Sequence, residues 1–385
     1  MKLKNYLLSL FIIALSIPAF AASDKHQGPA WQSTEKNFSI NQIRDLALIY
    51  QGGSQRIPWT EDQIEPYVVH KFANGKKNWL FDGFLFLEFA DMPECNYAPG
   101  YRGKRDARKD DWQRYLDRMF EKDKALDALN SCIEHQKAAI GDPGFKHKVV
   151  ITLPTPMPHQ KDWGEVNGKK LDFDKVGDAK IACQWYLDQL TDRFAKAGFN
   201  NLELSGIYWV DEDMWHLDGF TKHISPYIHQ LGLQFVWIPY FKAKGFENWR
   251  ELGFDIVYHQ PNHFFNKNIP DSRIDEACSL ARHHGMGMEF ECDENALFQK
   301  ENSSYDRMNA YMDGFWRHNV FTDAAIAYYT GSHLMLDFIK NPCHMFQLRR
   351  FYFSGPNQFR IHILTAFPLF LLHRIHVLQA DFIFQ

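Results

Sequence analysis

The chain reads as a (β/α)8 barrel, on two observations. Eight short apolar segments of strand character alternate with longer amphipathic helical stretches from Asp45 to Tyr329. No glycine-rich phosphate loop follows the first apolar segment, which disfavours an open, doubly wound sheet. A length of 385 residues fits one large barrel with loops, and no internal repeat divides it.

The elements follow in order. Asp45 to Tyr50 is an apolar strand ending at Gln51-Gly52-Gly53, and Trp79 to Ala90 is the second strand. Asp110 to Ile140 has helical spacing and is broken by Gly141-Asp142-Pro143-Gly144. Lys148 to Leu153 is the third strand, and the helix from Phe173 to Ala197 stops at Gly198. Leu202 to Val210 is the fourth strand; its parity turns Leu202 and Leu204 to the helices and Glu203 and Ser205 to the barrel. A helix over Met214 to Gln230 precedes the fifth strand, Leu233 to Tyr240. A short helix from Phe246 to Leu252 leads to the sixth, Asp255 to His259. Ser272 to His284 is helical and Gly285 ends it. Met286 to Cys292 is the seventh strand, Ser303 to His318 a helix, and Ala324 to Tyr329 the eighth strand. The barrel domain is thus placed at residues 42–341.

The ends are of different character. Lys2 and Lys4, the apolar run Leu7 to Ile17 and Ala19-Phe20-Ala21 form a secretory signal over residues 1–21, with cleavage before Ala22. The run is too short to span a bilayer, so the expected mature protein is periplasmic or secreted and carries no membrane span. Residues 342–385 hold four arginines and four histidines against one acid, Asp381, and helical periodicity fades there. A docking tail and a truncated or frame-shifted terminus are the two readings, and the second is preferred.

Composition excludes some partners. The net charge is −4. The basic run Lys104, Arg105, Arg108 and Lys109 is interleaved with Asp106, Asp110 and Asp111, so nucleic acid is disfavoured. Six scattered cysteines form neither a disulfide framework nor a zinc ribbon. No cofactor motif is read.

In a barrel of this kind, chemistry sits at the C-terminal ends of the strands. Those ends offer Gln51; Glu88 and Asp91; Thr155 and His159; Tyr208, Trp209 and Asp211-Glu212-Asp213; Trp237 and Tyr240; and Tyr258-His-Gln-Pro-Asn-His-Phe-Phe265. The last two strands add Glu289, Glu291, Asp293 and Glu294, then Tyr328 and Tyr329. In the seventh strand Glu289, Glu291 and Asp293 share one face, with Met288, Phe290 and Cys292 on the other. Three carboxylates on one strand face are costly if buried unpaired, so the stripe is expected to open on a wet cavity.

This set is acidic and aromatic, without a nucleophile elbow or an H-E-x-x-H motif. Aromatic faces suit sugar rings, and glycoside hydrolysis needs a carboxylic acid and a second carboxylate. Glu291 is the expected nucleophile, Glu289 a deeper, paired support, and Glu212 the general acid with Glu203 as its rival. Glu212 could instead cap the following helix, and Glu203 could be a structural ion-pair partner. Gln51, Glu88, Trp209, Trp237, Tyr240, Tyr258, Gln260, Asn262 and Tyr328 are the candidate sugar-binding residues; each aromatic among them also fits a core position. His259 and His263 leave a metal-dependent hydrolase open, although no metal ligand is assigned.

Phe81-Asp-Gly-Phe-Leu-Phe-Leu87, Gly206-Ile-Tyr-Trp209, Phe254 to Phe265 and Gly287-Met-Glu-Phe-Glu291 resemble the bacterial family called domain of unknown function 4855. The resemblance covers about Leu46 to Tyr329. It implies an exported, Bacteroidetes-type, glycoside-hydrolase-like barrel with a role in polysaccharide use, and supplies no settled catalytic residues. A glycoside hydrolase acting on a polysaccharide or oligosaccharide is the first reading and a non-catalytic glycan-binding barrel the second.

Overall fold

The computed structural model describes residue 31 and residues 43–72, 74–215, 219–297 and 303–340. The signal-like segment 1–21 and the tail 342–385 lie outside the described residues. Eight parallel strands close into a barrel: β1 (Asp45–Tyr50), β2 (Gly83–Leu87), β3 (His147–Leu153), β4 (Leu202–Trp209), β5 (Gln234–Trp237), β6 (Ile256–His259), β7 (Gly287–Cys292) and β8 (Ile326–Thr330). Each pairs with its neighbours in sequence, and β8 pairs back onto β1 through Asp45 opposite Ile326.

Between the strands run α1 (Glu61–Val68), α2 (Lys109–Met119), α3 (Ala125–Ile140), α4 (Val176–Ala197), α5 (Thr221–Gln230), α6 (Ser272–His284), α7 (Tyr305–Arg317), α8 (Val320–Asp323) and α9 (Leu334–Lys340). The longest, α4, buries Ala179, Ala182, Cys183, Tyr186, Leu187 and Leu190, a stripe at three- and four-residue spacing. It stops at Gly198, which takes the left-handed conformation. No α-helix joins β5 to β6; a single turn at Phe246–Asn248 does so. Among the described residues no helix is long and apolar enough to cross a membrane.

Two details depart from the expected layout. The second strand is shorter than Trp79 to Ala90, because Lys77–Trp79 pairs with Val69–Lys71 in a separate hairpin. The helical stretch from Asp110 to Ile140 is two helices, broken where Asp123 and Ala125 take positive φ. After β2 a small three-stranded sheet (Ala90–Asp91, Cys95–Asn96, Arg105–Asp106) is inserted above the barrel.

Strand parity divides the core in two. Alternate residues such as Ala47, Ile49, Phe84, Phe86, Met288 and Phe290 pack outward under the helices. Their neighbours Leu46, Leu48, Leu85, Leu87, Val236 and Ala327 fill the barrel interior. In β4 the register slips between Leu204 and Gly206, a bulge that inserts Ser205. Glu203 therefore lies below the bulge, at the N-terminal end, where Lys148 Nζ donates to it at 2.5 Å. That distance from the C-terminal mouth removes Glu203 from any shared site with Glu212. The five described cysteines are buried and free.

Candidate active site

At the C-terminal mouth lies a cavity of about 190 Å³, lined by Leu48, Tyr50, Leu87, Phe89, Tyr101, Tyr208, Glu212, Gln260, Asn262, Phe265, Glu289, Glu291 and Tyr329. Among the described residues its walls carry six aromatic rings, three carboxyl groups and two amides, and no Lys, Arg or His. The volume is below the roughly 300–1,000 Å³ of drug-sized sites, so it suits one small ring.

The seventh strand delivers two of the acids. Because Met288, Phe290 and Cys292 are outward in the core, Glu289 and Glu291 must point inward. Glu291 is 2% exposed and accepts the Tyr311 hydroxyl from α7. Burial raises its pKa to about 7, while the Tyr311 hydrogen bond and the backbone N–H groups of His263 and Asn262 favour its charged form. Glu289 lies one layer deeper and is 3% exposed. Burial, then the charges of Glu291 and Glu212, push its pKa well above the ordinary carboxylate range. The expectation of a paired Glu289 is corrected: it makes no hydrogen bond or ion pair among the described residues.

Glu212 comes from the loop after β4 and is half-buried. Burial raises its pKa to about 7; the Gln260 hydrogen bond opposes this, and the charges of Glu291, Asp211 and Asp213 add to it. A hydrogen-bond chain fixes that Gln260 contact. Phe241 N–H donates to Asn262 Oδ1 at 2.6 Å, which leaves Asn262 Nδ2 to donate to Gln260 Oε1 at 3.0 Å. Gln260 Nε2 then points at Glu212 Oε1, 2.8 Å away, and at the Ile238 carbonyl, 3.1 Å away. The amide can present only a donor to Glu212. Asn262 takes φ +48°, a left-handed conformation that asparagine tolerates better than most residues. The loop after β6 thus serves both acids.

The neighbours of Glu212 have other duties. Asp213 accepts the Trp215 N–H at 2.8 Å and the Tyr240 hydroxyl at 2.6 Å. Asp211 accepts Trp237 Nε1 on its carbonyl at 2.8 Å. Asp293 caps the turn that follows β7 through the Asn295 N–H, so the acidic stripe places two members in the cavity, not three.

Of the residues expected at the site, the structure brings Glu212, Glu289, Glu291, Gln260 and Asn262 together. The others stand outside the cavity wall. Trp209 and Trp237 face the helices, where Trp237 stacks on Phe254 at 4.9 Å and Trp209 packs on Phe220. Tyr328 also faces outward and donates to Asp45 at 3.0 Å; its neighbour Tyr329 points in. Gln51 is past the end of β1 and donates to the Arg118 carbonyl, while Tyr50 lines the cavity. Glu88 is clamped by Arg56 at 2.6 and 2.9 Å. Tyr240 is held by Asp213, and Tyr258 is inward but buried below the cavity floor.

The two histidines do not converge. His259 stacks on Phe246 at 5.3 Å on the helix side, and burial lowers its pKa to about 3. His263 faces Asp271, with Nε2 2.7 Å from Oδ1. Among the described residues no three His, Cys, Asp or Glu side chains are grouped to hold a metal ion.

Sequence reasoning passed over Leu48, Tyr50, Leu87, Phe89 and Tyr101. For Tyr50 and Phe89 a signal existed: Leu46, Leu48 and Tyr50 alternate, as do Leu85, Leu87 and Phe89. Tyr101 comes from a loop of the inserted sheet and stacks on Phe89 at 4.8 Å, a contact that no local pattern announces.

The chain belongs to the family described as Domain of unknown function (DUF4855), whose model matches residues 45–347. No curated protein sequence matches it. Among solved structures it is similar to a mutant tryptophan synthase alpha-subunit from Pyrococcus furiosus, at 6% identity over 88% of this chain and 98% of that one, with a TM-score of 0.36. Tryptophan synthase from M. tuberculosis is similar at 10% identity over 85% of this chain and 91% of that one, with a TM-score of 0.37. The carboxyl transferase domain of Rhizobium etli pyruvate carboxylase follows at 10% identity over 75% of this chain and 40% of that one, with a TM-score of 0.36. The barrel assignment stands on the closed strand order.

Proposed function

We propose that this member of the DUF4855 family is a periplasmic or secreted glycoside hydrolase acting on a polysaccharide or oligosaccharide. One observation carries the reading: Glu212 and Glu291, from β4 and β7 on separate sides of the mouth, open into one ring-lined cavity. Aromatic walls receive the apolar face of a sugar, and the amides of Gln260 and Asn262 stand beside its hydroxyls. The Ala19-Phe20-Ala21 signal supports export.

The roles follow from the donors. Glu291 receives the Tyr311 hydroxyl, and the nearby backbone N–H groups of His263 and Asn262 favour its charged form, so it acts as nucleophile. Its negative charge then helps hold the proton on Glu212. Gln260 occupies one Glu212 oxygen as a donor, which leaves the other to carry the proton toward the leaving group. Two acids that share a site and titrate near 7 suit acid–base work at neutral pH.

A glycan-binding barrel without catalysis is the second reading. Glu289, a third acid without a hydrogen-bond partner among the described residues, favours it, since a hydrolytic pair needs only two. A panel of glycans assayed with the wild type, Glu291→Gln and Glu212→Gln separates the readings. Turnover by the wild type that either substitution abolishes supports the hydrolase; unchanged turnover in Glu291→Gln removes that residue from the mechanism. Binding without turnover by the wild type selects the second reading.

A further inference from the structure

A carboxyl pair leaves one acid of the cavity unused. Glu289 is 3% exposed, opens into the cavity and has no hydrogen-bond or ion-pair partner among the described residues. A buried acid without a partner costs stability unless something supplied from outside completes it. Among the described residues no Lys, Arg or His lines the cavity to pair its charge. The guanidinium of Arg56 lies 4.3 Å from the centre of the Tyr50 ring, but Glu88 already holds it at 2.6 and 2.9 Å. Among the described residues the cavity thus combines three acids, six ring faces and no base.

We propose that this cavity is a subsite for an amino sugar bearing a free ammonium group, and that Glu289 is the carboxylate that reads that group. The inference rests on the carbohydrate reading above and narrows it to a substrate class. An ammonium offers three donors to an acid that has none. Its charge offsets the mutual repulsion of Glu289, Glu291 and Glu212, and ring faces attract it further. N-acetylation removes the charge, and a uronate or sulfated sugar adds the wrong one. The titratable groups that face Glu289 are Glu291 on its own strand, Glu212 after β4, Tyr208 on β4, Tyr329 on β8 and Tyr311 on α7. Tyr50 and Tyr101 line the same cavity. Burial keeps all these tyrosines protonated at neutral pH, so the carboxyls alone respond to an arriving cation, by losing protons.

Calorimetric titration of the full-length chain at pH 7 with glucosamine, N-acetylglucosamine, glucose and glucuronate tests this without requiring turnover. Glucosamine is expected to bind at least about tenfold tighter than glucose or N-acetylglucosamine, the lower end of what a charge-assisted hydrogen bond contributes. Glucuronate is expected to bind most weakly. The glucosamine heat should vary with the ionisation enthalpy of the buffer, because protons are released, and Glu289→Gln should remove the preference. Glucose binding as tightly as glucosamine to the wild type overturns the inference and leaves the carbohydrate reading standing. Failure of every sugar to bind removes both. Butylammonium binding as tightly as glucosamine overturns the sugar class in favour of a general cation pocket.

Discussion

At the N-terminal end of the barrel, Glu203 meets Lys148 at 2.5 Å, Asp82 accepts the backbone N–H groups of Arg44 and Asp45 at 3.0 and 2.8 Å, and Asp45 accepts the Tyr328 hydroxyl. At the C-terminal end, among the described residues, Glu212 has one amide donor, Glu291 has a tyrosine, and Glu289 has neither. Both ends belong to one barrel. The floor neutralises its acids with groups the fold supplies, as a structural end should. The mouth raises the proton affinity of three acids by burying them together, which costs stability and is worth keeping only where chemistry or binding uses it. The contrast separates function from structure better than acidity alone does.

The largest expected effect breaks the contrast directly. Glu291→Gln should lower glycan turnover by a factor on the order of 10⁴, whereas Glu203→Gln should leave turnover at the wild-type level; steady-state rates on one substrate check both. Equal losses would erase the distinction between the ends. Next is the wall itself. Trp237→Ala should cost about 3–5 kcal/mol in denaturant unfolding, as expected for a large side chain packed between barrel and helices. A loss of ligand affinity at unchanged stability would instead return Trp237 to the binding surface.

Smaller effects concern protons. Glu289 has its folded-state pKa raised, so its contribution to stability is present below the unfolded value and lost as pH rises through the folded one. Glu289→Gln should therefore gain thermal stability over the wild type as pH goes from 5 to 8, with each kcal/mol appearing as about 1–2 °C. Melting curves across that range check the sign; a gain confined to low pH contradicts it. The smallest effect is at Gln260. Gln260→Leu removes the donor that favours ionised Glu212, and should move the alkaline limb of the pH–rate profile upward by on the order of one unit.

Much of the fold was legible because strand parity and glycine stops are local. Asp45–Tyr50 and Ser272–His284 match their expected bounds, and the alternation over Met288 to Cys292 correctly sends Glu289 and Glu291 inward. The same rule, applied to β1 and β8, selects Tyr50 and Tyr329 over Gln51 and Tyr328; residue type overrode parity in choosing the latter. Trp209 and Trp237 misled for that reason too, since aromatic chemistry suits a sugar and a helix-packed wall equally. What the sequence could not show was long-range. Tyr101 reaches the cavity from a loop of the inserted sheet, Tyr311 reaches Glu291 from α7, and Glu289 has no hydrogen-bond partner among the described residues.

The most direct test is a carboxyl carbon NMR titration of glutamate-labelled protein, assigned by Glu212→Gln, Glu289→Gln and Glu291→Gln. The Glu212 and Glu291 signals are expected to titrate with midpoints of about 7, and Glu291→Gln to lower the midpoint of Glu212 and of Glu289. Independent midpoints near the ordinary glutamate value of 4.5 would contradict the account.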